Sequence, residues 1–246
     1  MIHRNPVLMI HLTLASQKTT SGHAVKTSAR VSTFNPNGEI SMEKKIDFKS
    51  RLQQLYKPSA KKVEFVNVPQ MNFLMLDGEG DPNTSQAFSD AMDALFPLAY
   101  TLKFMVKKSD LAIDYGVMPL EALWWADDMS VFTTGNKDEW KWTAMIMQPE
   151  FISREMVEIA TQEVARKKQP ASLSLVRFES FKEGNAAQIM HLGPFEEEGP
   201  TIEKVHLSIV EKGCQRFGKH HEIYLSDIRR AAPEKWKTIV RQPMSC

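Results

Sequence analysis

The chain is poor in cysteine, glycine and tyrosine, with 2, 11 and 4 among 246 residues, and it carries no excess of either charge. Cys214 and Cys246 lack the spacing of a zinc site, which excludes a metal centre built on thiolates, and no structural disulfide is expected between them. Thirty-one Lys and Arg against 30 Asp and Glu give a formal charge of +1. That balance leaves no basic face for phosphate-driven affinity, so direct nucleic-acid binding is not expected. The apolar stretch near the start, residues 7–15, is broken by His11 and is far too short to span a bilayer. What remains is a chain of 42% hydrophobic and 25% charged residues, long enough to bury the core of one or two domains. Its expected setting is the cytoplasm, away from the membrane.

Residues 1–41 are rich in Ser, Thr, Asn and His and hold no sustained period, so they are expected to form a disordered extension. A secretory leader, read from His3 and Arg4 ahead of residues 7–10, is the weaker reading. Met42 is the expected natural start, with one domain over residues 42–246.

The rest alternates between strand and helix patterns. Residues 45–56 carry Ile46, Phe48, Leu52 and Leu55 at the spacing of a short amphipathic helix ending before Pro58. Residues 63–68 and 72–76 read as two strands parted at Pro69, with a loop over residues 77–83. Thr84 or Ser85 then caps a long helix that Pro97 should kink. Strands are expected over residues 114–125 and 140–148, separated by a polar connection, and Ser153 caps a helix over 153–168. After Pro170 the pattern starts again: strands at 173–181 and 185–192, a loop at 193–200, a helix ending at Gly213, and strands at 220–227 and 238–242. Strand, strand, helix, strand, strand thus occurs twice, over about 60–150 and 171–243. The expected fold is α+β, with antiparallel sheets around a ligand pocket between two related units.

Chemistry concentrates in Lys219-His220-His221-Glu222-Ile223-Tyr224-Leu225-Ser226-Asp227. Two-residue alternation puts Glu222 and Tyr224 on one face of a strand. If that face is closed off from water, the pair is poised to take a proton or hold a cation. If it is the wet face of a one-sided sheet, the pair is unremarkable. Trp124, Trp125, Trp140 and Trp142, four of five tryptophans, fall on other strands, and strand parity lets only one of Trp124 and Trp125 share the pocket. Phe178 and Phe195 complete a set of flat side chains able to stack on an aromatic ligand, each also compatible with plain core packing. Glu121 sits on the equivalent strand of the first half. Brought close to Glu222, it would push one carboxyl pKa upward; otherwise it is a solvated strand residue.

His191, His206, His220 and His221 lie on three elements without ligand spacing, so no metal and no cofactor is expected; His191 is read as a hydrogen-bonding group at the pocket edge. The loop Asp77-Gly78-Glu79-Gly80-Asp81 is too acidic to cradle phosphate, and Glu196-Glu197-Glu198 is read as charge at a helix N-terminus.

Several motifs in one order carry a resemblance. They are Met75-Leu76-Asp77-Gly78-Glu79-Gly80-Asp81-Pro82, Ala99-Tyr100-Thr101-Leu102-Lys103-Phe104, Val117-Met118-Pro119-Leu120-Glu121 with Trp124-Trp125, Met145-Ile146-Met147-Gln148-Pro149, Met190-His191-Leu192-Gly193-Pro194-Phe195, residues 220–227, and Ile239-Val240-Arg241-Gln242-Pro243. Together they resemble the GyrI-like small-molecule-binding family over about residues 45–243, in its stand-alone form without a DNA-binding domain. The resemblance implies a duplicated strand-helix-strand-strand (SHS2-type) fold with pseudo-twofold symmetry and a central acidic pocket whose glutamate matches Glu222. The tryptophan-rich strands are similar to a subfamily that hydrolyses the cyclopropane of planar, DNA-alkylating cyclopropanoids inside an aromatic cage. On that implication Glu222 activates water and Tyr224 assists it. Three functions stay open: a hydrolase of planar electrophiles, a protein that sequesters aromatic or cationic drugs, and a module that docks on a protein partner.

Overall fold

The computed structural model describes residues 45–128 and 131–246, together with a two-residue strand pair, β1 (Thr33–Phe34) and β2 (Ile40–Ser41). The expectation of a disordered extension and of a start at Met42 otherwise lies outside the described residues. The helix expected over residues 45–56 is two single turns, α1 (Phe48–Arg51) and α2 (Gln53–Tyr56), joined at Leu52. Then follow β3 (Glu64–Glu79), α3 (Gln86–Lys108), β4 (Leu120–Trp125), α4 (Val131–Thr134), β5 (Lys141–Gln148) and α5 (Arg154–Lys167). The chain ends with β6 (Arg177–Leu192), α6 (Gly199–Glu211), β7 (Gln215–Arg216), β8 (His220–Tyr224) and β9 (Lys237–Ser245). No helix among the described residues is long and apolar enough to cross a membrane.

All the strands pair antiparallel, in the order β6-β3-β5-β4-β8-β9-β7, and β6 also pairs with β9. That last pairing closes six strands on themselves, so the sheet curls into a barrel-like shape. The fold is α+β. Two of the strand pairs expected from the sequence are corrected here. Residues 64–79 form one strand, because Pro69 falls where β3 has β6 on one side and no β5 partner on the other; β5 joins only from Asn72. A missing N–H on a free side leaves no ladder bond unmade. Likewise β6 runs unbroken through Gly184, whose φ of 81° opposite Val68 suits glycine alone. Residues 77–79, expected to be loop, continue β3. Gly78 is required there: a Cβ would stand 2.2 Å from the Trp142 ring that lies over it.

The helices agree better with their signals. Ser153 Oγ accepts from the Met156 amide as the N-cap of α5, whereas Ser85 at the head of α3 makes no side-chain capping bond. Pro97 lies inside α3, which runs on to Lys108. A second correction concerns the cysteines: Cys214, just past α6, is disulfide-bonded to Cys246, tying the last residue to the edge where β7 meets β9. They are close because that short pairing brings Gln215 opposite Ser245, a proximity no spacing rule shows.

The curled sheet buries polar groups on its inner face. Tyr56 from α2 donates to Glu121 Oε1 at 2.7 Å, and His221 stands 3.1 Å from Glu121 Oε2 and 2.9 Å from Glu183 Oε1. Arg241 donates to Glu183 at 3.1 Å, to Gln188 at 3.0 Å and to the Leu55 carbonyl at 2.7 Å. Buried charges persist only when paired in this manner. The other face carries α3 and α6, with Phe88 of α3 packed on Trp124 and Trp142.

Candidate functional site

Strand parity sends His220, Glu222 and Tyr224 of β8 to the helix-bearing face, and His221 and Ile223 to the inner one. Across the ladder Ala122 lies opposite Glu222 and Trp124 opposite His220. Trp124 therefore shares the face of Glu222, and Trp125 points away, its ring under the Lys219 ammonium at 3.0 Å.

Three side chains form a chain of hydrogen bonds. Trp124 Nε1 donates to Tyr224 Oη at 3.1 Å, and Tyr224 donates to Glu222 Oε2 at 2.7 Å. The second carboxylate oxygen, Oε1, is 3.2 Å from His220 Nε2. Burial works against ionising Glu222, whose side chain is 15% exposed, yet the bonds from His220 and Tyr224 outweigh it and hold its pKa below the usual glutamate value. Burial and the adjacent Glu222 charge push the Tyr224 phenol well above its ordinary value, so it stays a donor.

A second carboxyl approaches from α6. Glu198, its N-terminal neighbour, is 4% exposed and contacts Glu222 and Thr238. Burial first, and then the Glu222 charge, push its pKa up to about 9. The short 3-10 turn before it, Phe195–Glu197, sets the Phe195 ring edge-on to Tyr224 at 5.6 Å and beside Trp236 at 4.9 Å. On the far side Trp140 packs against Trp124 at 5.8 Å and Phe132 at 4.7 Å, and its indole N–H has no hydrogen-bond partner.

Of the residues singled out in the sequence, the structure gathers Glu222, Tyr224, Trp124, Trp140 and Phe195. Trp142 lies behind them, fully buried against Phe88. Three others fall elsewhere. Trp125 and Glu121 are on the opposite face, Glu121 at 0% exposure in the inner network, so the mirror pairing of Glu121 with Glu222 is corrected. Phe178 pairs with Leu74 near the start of β6, outside the stretch 186–192 that β9 joins beside β8. His191 lies on the face of Tyr224, with Thr238 between them, and bonds Thr201 Oγ1 at 2.9 Å and the Pro194 carbonyl at 3.2 Å, fastening the loop to α6 at the site's edge.

Sequence reasoning passed over Glu198, His220, Trp236 and Phe88 as members of this cluster. No sequence signal singled out Glu198 from its two neighbouring glutamates; what sets it apart is structural, a helix-capping position whose side chain makes no capping bond. Among the described residues no three His, Cys, Asp or Glu gather as a metal site. Two surface grooves, one between α3 and α5 around Phe104 and Lys167 and one along Phe65, do not include Glu222.

Residues 61–243 match the GyrI-like small molecule binding domain. The chain is 41% identical to an uncharacterized conserved protein from Listeria innocua, with a TM-score of 0.75 over 81% of this chain and 100% of that one. It is 40% identical to a crystal structure described as a hydrolase from Listeria innocua, with a TM-score of 0.71 over 81% of this chain and 100% of the other. A crystal structure described as a hydrolase encoded by lin2189 from Listeria innocua is 40% identical, with a TM-score of 0.74 over 82% of this chain and 100% of that one. No curated protein matches significantly.

Proposed function

This chain belongs to the GyrI-like small-molecule-binding family, and from that membership and the Glu222 cluster we propose that it binds a planar, electrophilic xenobiotic and hydrolyses its cyclopropane ring. One observation carries the reading: a largely buried carboxylate, fixed by Tyr224 at 2.7 Å and flanked by Trp124, Trp140 and Phe195. The hydrolases from Listeria innocua, 40% identical over their whole length, support the enzymatic half. The two strand-helix-strand-strand runs, β3-α3-β4-β5 and β6-α6-β8-β9, are consistent with duplicated SHS2 units, the site lying near the starts of α3 and α6 on one face.

In this reading the rings form an aromatic cage that orients a flat ligand, and Glu222 takes a proton from water as its oxygen attacks the strained ring carbon. Tyr224 steadies the carboxylate. The proposed setting is the cytoplasm, where a DNA-alkylating compound would be intercepted before reaching its target.

Incubation of a cyclopropanoid alkylating compound with wild type and with Glu222→Ala, followed by mass spectrometry, tests this. Catalytic formation of a water adduct by wild type, lowered about 10²-fold or more in the variant, is expected. An equal rate in both would overturn the role of Glu222. Tight binding without turnover would favour sequestration, a reading supported by the anionic carboxylate among rings that attract cations.

A further inference from the structure

Glu198 is the one group of the cluster left without a task. It stands at the head of α6, where unpaired amides ordinarily draw a carboxylate, yet its side chain makes no capping bond. The carboxyl turns instead to Glu222 and Thr238, with its Oε1 and the neighbouring Thr238 Oγ1 both buried and without hydrogen-bond partners. Two buried carboxyls in contact cannot both ionise. Glu222 has Tyr224 and His220 at its two oxygens. The charged and titratable groups acting on Glu198 are Glu222 and Tyr224 from β8 and Glu196 from its own segment, all of which oppose a second negative charge. The proton therefore rests on Glu198, whose pKa is up at about 9, and the anion on Glu222.

We propose that Glu198 and Glu222 act as one carboxylic acid–carboxylate pair, Glu198 supplying the proton that ring opening consumes; this rests on the hydrolase reading above. Water oxygen bonds to the ring methylene while Glu222 takes the water proton. The carbon–carbon bond breaks, and its electron pair moves through the conjugated system to a carbonyl oxygen, which receives the Glu198 proton and becomes a hydroxyl. Glu222 then returns its proton to Glu198, so the sum is the addition of one water. A cyclopropane conjugated to a carbonyl meets this need; an unactivated cyclopropane has no oxygen to receive the proton.

Two measurements on the full chain decide it. Turnover of a carbonyl-conjugated cyclopropane is followed by mass spectrometry from pH about 6 to about 10, for wild type, Glu198→Gln and Glu198→Asp. Wild-type kcat is expected to fall as pH passes about 9. Glu198→Gln should lose about 10²-fold in kcat with ligand affinity kept and the alkaline fall gone, and Glu198→Asp should recover part of the rate. Separately, carbon-13 NMR of the glutamate carboxyls without substrate should show one group titrating near 9 that is absent from Glu198→Gln. Wild-type kcat with an unchanged alkaline limb in Glu198→Gln would overturn the acid role. No carboxyl titrating that high would overturn the shared proton. A wild type that binds without turnover would sink the hydrolase reading and the acid role together, while the NMR titration still judges the pair.

Discussion

On β8, His221 and Glu222 are neighbours in sequence and face opposite ways, one locked between Glu121 and Glu183, the other beside His220, Tyr224 and Glu198. The Glu222–Tyr224 pairing was legible because a two-residue period needs only the strand itself. The fate of Glu121 was not, since it depends on the cross-strand register that sets Ala122, and not Glu121, opposite Glu222. Glu198 was hidden differently: in a run of three glutamates before a helix, the helix dipole explains all three equally well. At this scale Tyr224→Phe removes the 2.7 Å donor to Glu222 and the acceptor of the Trp124 indole. Turnover assays should show kcat down about 10²-fold. Thermal melting should change by no more than the worth of a hydrogen bond or two, about 1–3 kcal/mol. Unchanged kcat would remove Tyr224 from the mechanism.

Among elements, the inner network joins α2, β4, β6, β8 and β9 through Tyr56, Glu121, Glu183, His221 and Arg241. Burial disfavours the charge on His221, but the Glu183 and Glu121 carboxylates prevail and hold its pKa up at about 9. A pKa raised on folding means stability that is whole below the unfolded value of about 6.5 and is lost as pH climbs through about 9. Glu198, raised to about 9 from an ordinary 4.5, has the same sign but begins earlier, so stability should decline from about pH 4.5 upward and more steeply above 6.5. Glu183, held at about 2, and Glu222, also lowered, act oppositely and remove stability as pH falls below 4.5. Denaturant melts across this range should show both slopes, with Glu198→Gln abolishing the early one and His221→Gln the later one. A flat profile from pH about 5 to about 9 would contradict the network's protonation. Element order was readable from helical and strand periods, but the merging of residues 64–79 and 177–192 into long strands was not, because a proline and a glycine that read as turns are tolerated where the partner strand is absent or the φ is positive.

For the whole molecule, the closing pairing of β6 with β9 settles what the sequence left as two sheets. It turns one face of a single curled sheet into a sealed ionic interior and leaves the other for α3, α6 and the aromatic cluster. Nothing in local periodicity encodes that closure, since it needs residues 186–192 to meet 237–243 across the whole second half. The central claim is that ligand chemistry happens on the helix-bearing face at Glu222. It is tested most directly by a crystal structure of Glu222→Gln with an intact carbonyl-conjugated cyclopropane bound. The expected result is a ring system held between Trp124 and Phe195, with the strained carbon within about 3.5 Å of a water at residue 222. A ligand seated instead in the groove of Phe104, Lys108 and Lys167, or inside the curled sheet at Glu121, would contradict it.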